Sequence, residues 1–528
     1  MDSHRKDFDV SKIFKKNVSH VLVISFLAVG VLLVSSAYLW TGGLHISALN
    51  QSLNDQTGYI TTARNIAEKG RYESTVYYPA KMPYKSHNLP YMPGNYYIRA
   101  AFFYLFGYSP FISFLPNLLA FVGSAVLLFL IAKDYFDIKT AYLATILFML
   151  FPPYVLYAFS AMMENLFVFA CLLSFYVFMK LPEKLRFIFG GMVLILPLLI
   201  RETAAFMAVG FAVMIFSGYG RRLARSFLFV AISAISLFFV YTLPQVADRP
   251  PALYARLTNS SDLYFYNAFL LKGIHFTNLD IVRLTWLHFH DNIIIFWRML
   301  VSWPWQPGFA YLMIVLVLFL TATLAAFAEK STPKPFMLFT IATFCSTCGA
   351  MFVLYDYYSY TGIRILLFLV PFLLCIIVSA FLSRARFVNI KAKVVIGVLV
   401  INMFFFWDSL ITVHNNFSQA DEYDKACSEF LDSIGTSGVR FFAAPFDISL
   451  SYVAEHYPIR WSFIPANEET LRLVDDKYSV DMLVLPLGDR LINTGETGKV
   501  RKTILEDTFT LTGTRTFLNQ IYFIYKRN

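Results

Sequence analysis

Residues 53–73 read LNDQTGYITTARNIAEKGRYE. Asp55 stands before a run in which Tyr59, Ala63, Ile66 and Ala67 recur at helical spacing. Gly70, directly after Lys69, is a good helix stop. The segment therefore predicts a short helix with an acid at its start. Upstream lies Val21–Trp40, an apolar run of about the 20 residues a membrane span needs. Two readings follow. Asp55 is either the N-cap of a helix lying on the membrane, or an acid aimed into a site that lipid can reach. The rest of the chain separates them.

Of the 528 residues, 57% are hydrophobic and 15% are charged. Soluble proteins carry about 25% charged residues, so the chain reads as an integral membrane protein. The 18% of aromatic residues suits interfacial belts, where Tyr and Trp keep one end wet and the other in lipid. The net charge of +10 is accounted for by basic cytoplasmic loops, and no nucleic-acid partner is expected. Cys345 and Cys348, in CSTC, fall inside an apolar run and read as packing rather than as a metal or redox pair. No small-residue cleavage pattern follows the first apolar run, so a retained span is expected rather than a cleaved signal peptide.

Apolar runs recur along the chain and predict about eleven transmembrane helices. The weakest division is around Arg201, where Phe187–Ile200 and Ala204–Phe216 are either a hairpin or one long helix. The positive-inside rule orders the rest. Arg5, Lys6, Lys12, Lys15 and Lys16 place the N-terminus in the cytoplasm, and every second loop is basic, for example Lys180/Lys184/Arg186 and Arg221/Arg222/Arg225. The short intervening loops, 156–163 and 356–363, contain no Lys or Arg. Outer loops 41–110 and 244–308, together with the tail 412–528, then lie outside the cytoplasm. The tail alternates helix-like stretches (ADEYDKACSEFLDSIG) with strand-like ones (VRFFAA, VDMLVLPLG, IYFIYK). The expected fold is a polytopic α-helical membrane domain, residues 1–411, followed by a small extracytoplasmic α/β domain, residues 412–528.

On this topology several polar residues emerge on the outer side. Glu164 and Arg364 each open a helix there, and Arg201 marks the outer turn of the hairpin. Lys85 and His87 lie in the first outer loop, in YKSHNLPYMPGNYYIR. A charge near hydrocarbon costs about 2.5–3.5 kcal/mol at mid-depth. Any one of these could be an interfacial anchor. Two acids among three bases on one side are better explained by a site.

The order of these features resembles the GT-C class of membrane glycosyltransferases, relatives of the protein O-mannosyltransferases and lipid A aminoarabinose transferases. The class carries an acid after its first helix within a pattern that here reads Asp55, Tyr59, Ala63, Gly70, Tyr72. A proline–aromatic stretch follows, LPYMPGNYYIRAAFFYLFG, then Pro153, Ser160 and Glu164, and finally Arg364 with Pro371. The resemblance spans residues 20–385. Two departures stand out: Glu164 occupies a position where many relatives show Asp, and Asn54 replaces the first acid of the mannosyltransferase acid pair.

The resemblance implies transfer of a sugar from a polyprenyl-phosphate carrier, such as a dolichyl phosphate, to an acceptor hydroxyl on lipid, glycan or protein of the cell envelope. Asp55 is the candidate general base, and inversion at the anomeric carbon is expected. Glu164 is the second acid, orienting the acceptor or steering a basic side chain. Lys85, Arg201 and Arg364 are candidate phosphate ligands, because guanidinium and ammonium groups match the leaving group's charge. Tyr59 and His87 are lesser candidates for substrate contact. Asp55 and Glu164 could share a divalent metal ion, although two acids do not specify one. A transporter, flippase or polymerase is the alternative; a transporter would place its ion pairs near mid-bilayer. A non-catalytic scaffold would tolerate loss of Asp55.

Overall fold

The computed structural model describes residues 10–40, 55–72, 76–77, 92–218, 222–243, 333–354 and 366–383, with residues 425–427, 429–435, 439, 441–443, 461–463, 480–486, 509–517 and 520–528 of the tail and isolated positions between. The chain divides into two compact units. One comprises Met1–Tyr38, Phe114–Leu243 and Leu287–Thr412; the other comprises Leu39–Ser113, Pro244–Trp286 and Val413–Asn528.

The first unit is helical. Among the described residues Val18–Ser36 and Phe111–Tyr135 are long and apolar enough to cross a membrane, and the bent pair Ile138–Met149 and Pro152–Ala158 raises the number to three if it is one span. The pair bends by 60°. Phe151 is extended (φ −76°, ψ 115°) because Pro152 disfavours helical geometry in the residue before it. Leu22, Phe26 and Leu33 of the first helix are exposed while Ile24 and Ala28 are buried, the one-sided pattern of a helix with a lipid face and a protein face.

An aromatic cluster holds the buried faces together. Phe175 lies 4.7 Å from Phe339, 5.1 Å from Phe372 and 5.6 Å from Phe336, ring centre to ring centre. Phe178 and Phe211 meet at 4.2 Å. Lipid tails are as apolar as these rings, so close packing and dispersion hold them rather than escape from water. Small residues permit the approach. A Cβ on Gly210 would lie 2.8 Å from the Phe339 carbonyl oxygen and would also collide with the Thr343 hydroxyl.

The second unit joins helices and a mixed sheet. Helix Asp55–Lys69 packs on helix Pro93–Phe106 through Tyr59 and Tyr96, whose rings are 5.7 Å apart. Gly70 ends the first of these with a positive φ of 65°, its N–H donating to the Ile66 carbonyl. The sheet has six strands among the described residues: β1 (Val76–Tyr77), β2 (Phe441–Ala443), β3 (Trp461–Phe463), β4 (Met482–Pro486), β5 (Phe509–Phe517) and β6 (Gln520–Arg527). Their order is β1-β3-β2-β4-β6-β5. The pairings from β1 to β4 are parallel, and β4–β6 and β5–β6 are antiparallel. Cys427, Phe430, Leu431 and Ile434 pack against Met482, Val484 and Ile524 to form the core of the tail. Strand β1 follows directly on the Asp55–Lys69 helix, so the first long loop and the tail share one sheet.

Candidate active site

Glu164 is the first residue of helix Glu164–Lys180. Four N–H groups at a helix start have no partner within the helix, and the backbone dipole favours a carboxylate there. The opposite end is treated in the complementary way. Lys180 pairs with Asp134 at 2.7 Å, and Arg186 reaches back to donate to the carbonyls of Met179 and Leu181, both at 2.9 Å. The sequence presents Arg186 as a loop charge. In the structure it is 9% exposed and satisfies the last carbonyls of the helix.

Arg201 lies at a break in the chain. Helix Ile195–Ile200 ends on it, a 3-10 turn over Glu202–Ala204 follows, and Arg201 itself is extended (φ −155°, ψ 132°). The stretch is therefore broken at Arg201 and is not one continuous helix. The Arg201 N–H donates to the Pro197 carbonyl at 2.8 Å, and its own carbonyl accepts from Ala204 at 3.2 Å. With the backbone pinned on both sides, the side chain turns inward. Its Nη1 donates to Glu164 Oε1 at 3.4 Å, and the guanidinium carbon is 6.0 Å from the centre of the Phe167 ring. Glu164 is 1% exposed and Arg201 is 5% exposed.

The turn that presents Glu164 is built by two asparagines. Asn117, in helix Pro110–Tyr135, has its Nδ2 within 3.0 Å of the Tyr157 carbonyl, 2.7 Å of Ser160 and 2.6 Å of Met162. Asn165 Nδ2 donates to the Tyr154 carbonyl at 2.8 Å. Tyr154 in turn donates its hydroxyl to the Leu367 carbonyl at 2.7 Å, and Phe368 packs on Phe167 with ring centres 5.3 Å apart. Backbone carbonyls buried between bent helices need donors, and these amides supply them. Glu164 is thereby held on both sides, between Met162 and Asn165.

Of the residues singled out from sequence, Glu164 and Arg201 are brought together. Asp55 opens its helix, as expected, and its side chain is outside the described residues. Tyr59 is fully buried against Tyr96 within the second unit. Lys85, His87 and Arg364 lie outside the described residues, as does loop 244–308. Sequence reasoning passed over Asn117, Asn165 and Arg99. Arg99 is fully buried, bonded to Asn95 Oδ1 at 3.2 Å and to the Ser113 carbonyl. The signal for Asn117 was present: a lone amide after Pro116 in FISFLPNLLAFVG, inside a span where polar groups are costly.

As for metal, no group of three or more His, Cys, Asp or Glu side chains among the described residues could hold an ion. Glu164 Oε1 faces a guanidinium, whose charge opposes a cation at the same oxygen.

Residues 89–244, which include Asn117, Glu164 and Arg201, match the family described as dolichyl-phosphate-mannose-protein mannosyltransferase. No curated protein matches the chain in sequence. In fold, the chain is similar to ArnT from Cupriavidus metallidurans bound to undecaprenyl phosphate, with a TM-score of 0.52 and 10% identity over 96% of this chain and 98% of that one. It also matches the Archaeoglobus fulgidus oligosaccharyltransferase in complex with zinc and sulfate, with a TM-score of 0.49 and 12% identity over 87% of this chain and 68% of that one. The chain is an integral membrane protein with the fold of the GT-C class of membrane glycosyltransferases, and the resemblance holds in sequence over residues 89–244 and in fold over 96% of its length.

Proposed function

We propose that this protein is a glycosyltransferase that takes a sugar from a polyprenyl-phosphate donor and passes it to an acceptor hydroxyl on the extracytoplasmic face. The observation that carries the reading is the state of Arg201. Arg201 is 5% exposed, yet the single hydrogen bond of its guanidinium among the described residues is the long one to Glu164. A buried guanidinium is a costly group, and its donor fork suits a phosphate oxygen pair better than one distant carboxylate oxygen. A donor whose leaving group is a lipid phosphate needs such a cation, because negative charge grows on the bridging oxygen as the sugar departs.

In this mechanism the acceptor hydroxyl attacks the anomeric carbon as Asp55 takes its proton, the bond to the carrier phosphate breaks, and the configuration inverts. Arg201, with Lys85 and Arg364, stabilises the phosphate that leaves. Arg364 precedes, by three positions in sequence, Leu367, whose carbonyl accepts from Tyr154. Tyr59 and His87 contact substrate or shape its entrance. A divalent ion shared by Asp55 and Glu164 remains part of the proposal, and no step depends on it. The reading further includes about eleven spans, a cytoplasmic N-terminus and an extracytoplasmic α/β domain over 412–528. Neither the family match nor the fold favours a transporter, flippase or polymerase.

The test compares cells carrying wild type or Asp55→Asn at matched membrane expression, with lipid-linked sugars profiled by mass spectrometry. Build-up of one polyprenyl-phosphate sugar in the variant alone is the expected result and identifies the donor. An unchanged lipid profile with a well-expressed variant overturns the assignment of Asp55 as base.

A further inference from the structure

We infer that Glu164 is an exchangeable counter-ion: it neutralises Arg201 while no substrate is bound and gives it up to the phosphate of the carrier lipid. The inference rests on the proposed phosphate role of Arg201 and adds a competition to it.

Four observations lead here. The contact between Arg201 Nη1 and Glu164 Oε1 is 3.4 Å, whereas charge-assisted bonds settle at about 2.7–2.9 Å. The pair thus cancels charge without tight hydrogen bonding. Secondly, Arg201 makes no other hydrogen bond through its guanidinium among the described residues, so its fork remains available to an oxyanion. Thirdly, Arg201 cannot retreat to water when the site is empty. Its backbone is pinned to Pro197 and Ala204, and its side chain is 6% exposed. A bare guanidinium in that position would carry a large desolvation cost, so the empty site needs a resident anion.

Fourthly, Glu164 has a second source of stabilisation. As the first residue of a 17-residue helix, it sits at the positive end of the backbone dipole beside N–H groups that the helix leaves open. The carboxylate therefore keeps favourable contacts after Arg201 has turned to phosphate. No covalent step is involved. One anion replaces another on the guanidinium, and the displaced carboxylate stays at the helix start. Asn117 and Asn165 keep the turn in place throughout, through bonds to Ser160, Met162 and Tyr154.

A competitor for Arg201 weakens phosphate binding, and removing it must strengthen that binding. An ordinary structural ion pair predicts the opposite sign. The experiment measures undecaprenyl phosphate binding to the full-length protein in detergent by native mass spectrometry, for wild type, Glu164→Gln, Glu164→Asp and Arg201→Ala. The expected result is that Glu164→Gln binds the lipid phosphate about tenfold tighter. Glu164→Asp, whose shorter arm draws the charge back from Arg201 but keeps it at the helix start, binds tighter by a smaller factor. It is the deciding variant if Glu164→Gln does not fold. Arg201→Ala binds more weakly. Equal or weaker binding in the folded Glu164 variants overturns the exchange. Unchanged binding in Arg201→Ala overturns the phosphate role of Arg201, and with it the reading on which the exchange rests.

Discussion

The side-chain amide of Asn117 lies 2.6 Å from the carbonyl oxygen of Met162, two residues before Glu164 and 45 residues away along the chain. One helix therefore sets the backbone from which another helix begins. The amide also reaches the carbonyls of Tyr157 and Ser160. Replacing Asn117 by Ala leaves buried carbonyls without this donor, and a buried unsatisfied polar group costs about 1–3 kcal/mol. We expect a lowered unfolding midpoint in detergent and loss of sugar transfer. Asn117→Leu, which fills the volume without donating, should recover neither. The check is thermal unfolding measured alongside transfer. A fully active, equally stable Asn117→Leu protein would refute the positioning role.

The Glu164–Arg201 pair separates stability from activity. Arg201→Met alone leaves Glu164 buried opposite an apolar side chain, which should destabilise the protein by about 3–5 kcal/mol. Adding Glu164→Leu removes the carboxylate that has lost Arg201 and should restore most of that loss, because buried ion pairs are often no more stable than apolar residues of similar volume. Transfer activity should stay absent in the double variant. Unfolding midpoints for both single variants and the double variant, compared with wild type, close the cycle.

Two glycines should respond in opposite directions. Gly58 lies inside helix Asp55–Lys69, and a Cβ there would meet nothing within 4 Å. Gly58→Ala should therefore gain roughly 0.5–1 kcal/mol, because alanine loses less backbone freedom on entering a helix. Gly210 is pressed against Phe339 and Thr343. Gly210→Ala should separate the Ala205–Gly218 and Lys334–Leu354 helices and cost on the order of 1–3 kcal/mol. Thermal unfolding of the two variants side by side tests both signs.

The tail should lose stability in alkali through Tyr525. Burial on β6 pushes its phenol from the usual 10.0 up to about 12. The folded form thus disfavours phenolate more than the unfolded form does. The neutral ring's contribution is complete below pH 10.0, shrinks as the pH rises past that value, and is spent once the folded group itself ionises near 12. Tyr525→Phe should flatten this part of the curve. Denaturant titrations across that range, for wild type and variant, measure it.

Much of the helical architecture could be read from periodicity and charge. Asp55 as the start of a helix, Gly70 as its stop and Glu164 as the opening of another all depend on neighbours within one or two turns, and local spacing carries that information. Strands β2, β4 and β6 fall within VRFFAA, VDMLVLPLG and the run around IYFIYK for the same reason. Strand β5, FTLTGTRTF, escaped because its burial pattern is mostly exposed and its threonines and Gly513 give no strong apolar alternation. Strand β1 escaped because it is two residues of a long loop whose partner lies near residue 462.

The sequence alone determined that the chain lives in a membrane, that helices open at Asp55 and Glu164, and which ionisable residues are out of place in apolar surroundings. Those are consequences of composition and short-range periodicity, which hydrophobic partition and backbone sterics impose locally. Only the tertiary structure decided that Arg201 turns to Glu164, that Asn117 holds the turn just before Glu164, and that Arg186 caps a helix instead of marking a loop. Each of these is a pairing whose free energy depends on burial and on a distance of about 3 Å. Nothing along the chain encodes such a distance until the helices have packed.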